Sequence, residues 1–229
     1  MGQITRLLLT LLTSGVAIAS FSFAYLPGSA FSQIRQKSAL ETLQSIFRPR
    51  RRPGGTRGPV CLITPGLRPG WVPLSAIPFV LSDRPLFVWQ RPVAGVEVRL
   101  AKTNAVVWHQ SLPSKTQRIL YRGAPLQPGQ IYQVIAFGRN NAPLNVGEDA
   151  QFRLVDASQR DETIRELAAT EAKLNQRKRS AEVIAIAKAI ALSNRSLLSD
   201  AYQLLDALPN RSPELTAFLT KISANVCGD

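Results

Sequence analysis

Leu126-Gln127-Pro128-Gly129-Gln130-Ile131-Tyr132 is the stretch that decides how this chain folds. An apolar residue anchors the approach, Pro-Gly turns the backbone, and the tyrosine opens the strand that follows. A tyrosine so placed buries its ring and returns its hydroxyl to backbone a few residues upstream, which fixes a corner between strands. Upstream, Leu86-Phe87-Val88-Trp89-Gln90 suits a short strand with Trp89 as core filler. Gly95-Val96-Glu97-Val98-Arg99-Leu100 alternates, with Val96, Val98 and Leu100 on one face and Glu97 and Arg99 on the other. That is the period of a strand covered on one side only. Val60-Cys61-Leu62-Ile63, Ala105 to Gln110 across a Thr103-Asn104 turn, Arg118 to Tyr121, Ile131 to Phe137 and Gln151 to Val155 read as further strands.

Roughly seven strands in about a hundred residues predict two packed antiparallel sheets over residues 60–156. The Trp89 strand and the Leu126–Tyr132 corner resemble those of a fibronectin type III domain. The resemblance implies an immunoglobulin-like antiparallel β-sandwich, with Trp89, Leu126, Pro128, Gly129 and Tyr132 as its core and corner. It implies no activity, because such sandwiches carry many unrelated functions.

Beyond residue 156 the apolar period changes from two to 3.6. Asp161 to Gln176 reads as a helix with Ile164, Leu167 and Leu174 on one face, and with Glu162, Glu166 and Glu171 pairing Arg165 or Lys173 on others. Ala181 to Leu192 is apolar on several sides, and Ser199 to Leu208 ends at Pro209-Asn210. Ser212-Pro213-Glu214 offers a capping serine and a proline in the first turn. Leu215, Phe218, Leu219, Ile222 and Val226 follow on one stripe. Asp200-Ala201, Leu205 and Leu208-Pro209 resemble half of a tetratricopeptide-type pair, but one pair makes no solenoid groove. Residues 157–229 are therefore expected to form a small helical hairpin cap, making the chain mainly β with an α-helical C-terminal region.

Residues 1–30 have the form of a signal peptide. Arg6 is the short positive region, Leu7 to Ala24 is uncharged, and Gly28-Ser29-Ala30 offers small residues for cleavage. The alternative is an uncleaved anchor. Either way the expected location is extracytoplasmic: periplasmic, secreted or envelope-associated. The two cysteines, Cys61 and Cys227, suit a disulfide in an oxidising compartment, the alternative being two unrelated buried thiols. Residues 31–59 join the two regions. Ser32 to Phe47 suits a short helix through Ile34, Leu40, Leu43 and Ile46, and Arg48 to Pro59 is a basic Pro/Gly-rich linker. Of the formal charge of +13, residues 31–60 hold seven Lys and Arg against one Glu.

The leader, the Pro53-Gly54-Gly55-Thr56-Arg57-Gly58 linker, Cys61, the Phe87/Trp89 strand and Ala124-Pro125-Leu126-Gln127-Pro128-Gly129 together resemble a cyanobacterial family of secreted domains of unknown function. The likeness covers roughly residues 48–210. It implies a fold and a compartment but no reaction.

Catalytic chemistry has little to work with. His109 is the sole histidine, beside Trp108 on a strand, with no motif marking a nucleophile or an orienting acid. Structural zinc wants four ligands at close spacing, which one histidine and two distant cysteines do not supply. Gly54-Gly55 beside arginines lacks the strand and helix of a phosphate loop. No catalytic residue, metal ligand or cofactor is assigned, and the chain is read as a non-enzyme. Arg48, Arg50, Arg51, Arg52 and Arg57 could contact anionic lipid or an acidic envelope polymer, or simply form a solvated tether. Secretion argues against nucleic acid. Trp71, bracketed by Pro69-Gly70 and Pro73, could stack on a sugar ring or plug one end of the sandwich. The leading expectation is a non-enzymatic binding or structural module of the cell envelope, whose partner is an envelope protein or acidic polymer. A carbohydrate- or peptidoglycan-associated domain is the alternative, and an envelope enzyme a distant third.

Overall fold

A computed structural model describes residues 39–47, 60–73, 75–144 and 150–227. The signal segment, the arginines at 48–57 and the Glu148-Asp149 turn lie outside the described residues. Two sheets form. The smaller joins β1 (Leu62–Thr64), β3 (Leu86–Trp89) and β6 (Arg118–Leu120), antiparallel throughout, in the order β1-β3-β6. The larger runs β2 (Phe79–Val80), β9 (Gln151–Leu154), β7 (Ile131–Phe137), β4 (Gly95–Leu100) and β5 (Val106–Ser111), with β8 (Pro143–Leu144) beside β7. Its pairings are antiparallel except β2 with β9, which run parallel.

Side-chain alternation splits the smaller sheet between two cores. Leu62, Phe87 and Trp89 point toward the larger sheet and pack with Val96, Val98, Val134, Ala136, Phe152 and Leu154. Cys61, Ile63 and Leu86 point the other way, into a second core shared with helices, with Val88 against its edge. A strand buried on both faces reads as an unbroken apolar run, whereas one open to water alternates. That is the difference between Leu86-Phe87-Val88-Trp89 and Val96-Glu97-Val98-Arg99.

The helical layer is larger than the expected hairpin cap. It consists of α1 (residues 39–46 as described), α2 (Ala157–Gln176), α3 (Ala181–Asn194), α4 (Leu198–Asp206) and α5 (Pro213–Cys227). α1 precedes the linker in sequence yet joins this layer through Leu40, Leu43 and Phe47, whose ring meets Phe218 edge-on at 5.7 Å. The reason is area: the outer face of β1 and β3 is wholly apolar, and one hairpin would leave part of it wet. α2 begins at Ala157, earlier than Asp161; of its expected face Leu167 packs against the helical core and Ile164 is 41% exposed, while Thr163 is the fully buried residue. The carboxylates of α2 also find partners on α3 and its C-cap rather than on their own helix. Glu162 and Glu166 accept from Arg195 at 3.0 and 2.8 Å, and Glu171 from Lys188 at 2.7 Å. That hydrogen bond and the Lys188 charge hold Glu171 below its ordinary pKa.

Candidate functional site: the open face of the larger sheet

Among the described residues the helices lie over the smaller sheet, and the outward face of the larger sheet is a broad β surface. Residues of β7 alternate half-buried and buried: Ile131, Gln133, Ile135 and Phe137 look outward, while Tyr132, Val134 and Ala136 fill the core. Glu97 pairs across to Ile135 on one side and His109 on the other. Its residue is only 8% exposed although its side chain lies on the open face. The carboxylate is bonded to Arg99 Nε and lies 3.7 Å from His109 Nδ1. Arg99 is steadied further by Asn104 Oδ1 at 3.2 Å, and the His109 ring meets Phe137 edge-on at 6.0 Å. A charged centre thus sits among half-buried aliphatic and aromatic groups.

His109 occupies β5, the outer strand of this sheet, with its side chain 46% exposed. Among the described residues no three of His, Cys, Asp and Glu come together as a metal would require. A separate cleft of about 350 Å³ opens between β2, α2 and the α3–α4 connection, lined by Phe79, Gln159, Thr163 and Arg195. Its one charged group, Arg195, is already held by Glu162 and Glu166.

Trp89 is 1% exposed and stacks on Phe87 at 6.3 Å. At the corner, Leu126 and Tyr132 are buried, the Tyr132 ring stacks on Phe152 at 5.6 Å, and the Gln127 N–H donates to Tyr132 Oη at 2.8 Å. Between them the Pro128-Gly129 turn needs its glycine: φ is +75°, and a Cβ there would come within 2.9 Å of Asp156 Oδ1. Cys61 and Cys227 form a disulfide, joining β1 to the end of α5. Trp71 does not plug the sandwich. It is 76% exposed, because proline and glycine around it turn the chain outward before β2.

No family model, curated protein or solved structure matches this chain.

The strongest polar fixture was missed in sequence, and it lies at the seam between layers. Asp200, in the first turn of α4, accepts the Leu81 and Ser82 N–H groups at 2.8 Å each. Gln203 Oε1 accepts the Leu86 N–H at 2.8 Å, and its amide donates to Arg84 O at 3.2 Å. Asp206 receives Arg118 of β6 and, at 2.9 Å, Arg211. Three polar residues spaced by three, Asp200, Gln203 and Asp206, were the available signal, since they share one face of the helix. Burial pushes the Asp200 carboxyl up to about 6 despite its two backbone donors.

Proposed function

We propose that this chain is a non-enzymatic binding module of the cell envelope, exported from the cytoplasm and built on an immunoglobulin-like sandwich of fibronectin type III type. The strand order supports the fold assignment. A seven-stranded sandwich sets strands A-B-E-D against C-F-G. Here β1-β3-β6 stand as A-B-E and β4-β7-β9 as C-F-G, with the fourth strand, β5, moved to the edge beside β4. The Gln127–Tyr132 hydrogen bond has the form of that fold's tyrosine corner. The leader sequence and the Cys61–Cys227 disulfide support a compartment outside the cytoplasm. Membership of the cyanobacterial secreted family rests on the Pro53–Gly58 linker and the Ala124–Gly129 turn.

One observation carries the binding role. The helices occupy the smaller sheet, and the larger sheet is left with Ile131, Ile135 and Phe137 half-buried around the Glu97–Arg99–His109 cluster. The occupant proposed for this face is an envelope protein. Wild-type protein and an Ile135→Lys/Phe137→Asp variant, immobilised and exposed to envelope extract, test it. Proteins retained by the wild type and lost by an equally stable variant are the expected result. The same proteins on both would overturn the assignment to this face.

A further inference from the structure

We infer that the loop from Arg68 to Phe79 is an interfacial anchor, which seats Trp71 at the headgroup level of an anionic bilayer. The inference does not depend on what the sheet face binds. Tryptophan is seldom left in water, because its ring is the largest apolar surface any side chain can bury. Trp71 is nonetheless 76% exposed, whereas Trp89 is 1% exposed and Trp108 is packed between Phe87 and Tyr121 at 6.0 and 4.9 Å.

Hydrogen bonds hold the described residues around Trp71. Arg68 is 6% exposed and donates Nε–H to Ala76 O at 2.7 Å, tying the loop across its base. Inside that tie the Val72 N–H donates to Pro69 O at 3.0 Å and the Ala76 N–H to Pro73 O at 3.1 Å. A pre-ordered loop loses little freedom when its tip is bound, so the ring is presented at low cost.

The chemistry of the loop selects the partner. From Pro69 to Val80 the only polar side chain is Ser75, and no residue is charged. A sugar needs side chains that hydrogen-bond its hydroxyls beside the stacking ring, and this loop has almost none. A bilayer interface asks for the opposite: apolar bulk, an indole N–H that stays at the wet boundary, and cations nearby. The chain as a whole carries +13, so an anionic surface attracts it before the loop inserts.

Because Trp71 is the exposed tryptophan of the three, intrinsic fluorescence reports it directly. Purified full-length protein and Trp71→Ala are titrated with phosphatidylglycerol/phosphatidylcholine vesicles, and with phosphatidylcholine vesicles alone. For the wild type, a blue shift and loss of iodide quenching are expected on the anionic vesicles. Trp71→Ala should retain its near-ultraviolet circular dichroism, show no such shift and bind these vesicles about tenfold more weakly. Binding to anionic vesicles with unchanged emission would overturn the inference, leaving charge alone as the attraction. Failure to bind them would overturn it too, and so would a wild-type shift produced by soluble peptidoglycan fragments instead.

Discussion

Tyr132 and Asp200 show how differently two residues announce themselves. Tyr132 follows a Pro-Gly turn by three residues, so its hydroxyl partner, the Gln127 N–H, lies within its own segment. Local geometry of that kind is written in local sequence. Tyr132→Phe should cost about 1 kcal/mol, because the Gln127 N–H loses its acceptor. Trp89→Ala should cost about 3–5 kcal/mol through the cavity it leaves. Urea melts of the full chain check both, and a Trp89→Ala protein as stable as its parent would remove this ring from the core. Asp200 has partners 118 and 119 residues away, both of them backbone groups that no side-chain pattern encodes. Its carboxyl titrates near 3.8 when unfolded and at about 6 in the fold, so the folded state holds the proton more tightly across that range. The contribution of this carboxyl to stability is therefore greatest below the lower value and falls as pH rises toward the upper, by on the order of 3 kcal/mol. Asp200→Asn should flatten this slope, read as urea midpoints at successive pH values. Asp200→Ala should destabilise at every pH, because two buried N–H groups lose their acceptor.

At the scale of elements, α5 was legible and α2 only partly. Ser212 caps α5, accepting the Leu215 N–H at 3.2 Å, and Leu215, Phe218, Leu219, Ile222 and Val226 are all buried. Glu182 of α3 accepts the Ser212 N–H at 2.8 Å, adding a negative charge where the helix dipole is positive. α2 carries little apolar surface, so the period that set its expected face was weak: Leu167 packs inward as expected, but Ile164 faces outward and Thr163 is buried. β2 and β8, of two residues each, were not expected at all, because strands so short have no period to show. The disulfide adds what packing does not. It closes a loop spanning 166 residues, worth about 5 kcal/mol in the chain-entropy description. A Cys61→Ser/Cys227→Ser variant should lose up to that amount in urea melts, and dithiothreitol should shift the wild type by a similar step while leaving the variant unmoved.

Taken as a whole molecule, the chain has two cores and one sheet common to both. The apolar runs at Val60–Ile63 and Leu86–Trp89 carried this information, but a continuous run identifies a strand more readily than it identifies a second covering layer. Cys61, Ile63, Leu67, Leu81 and Leu86 face the helices, so the sheets and helices do not divide at residue 156 without uncovering them. A fragment of residues 60–156 should expose this face and self-associate. Light scattering checks this: a monomeric fragment with native-like chemical shifts would show the second core to be dispensable. The open face of the larger sheet was legible as alternation in Gly95–Leu100 but not in Ile131–Phe137, whose outward residues are apolar apart from Gln133. The tie among Glu97, Arg99 and His109 was not, since it depends on the register of β4 against β5.

The bridge between Cys61 and Cys227 also decides where mechanical load travels. Cys61 stands at the entrance to the first strand of the sandwich, and Cys227 is the last residue of the final helix. Tension applied from the linker side of Cys61 to the chain beyond Cys227 runs through one covalent link, and the strands and helices between them lie off the line of force. Pulled that way, the module behaves as an inextensible joint and adds no slack to a tether.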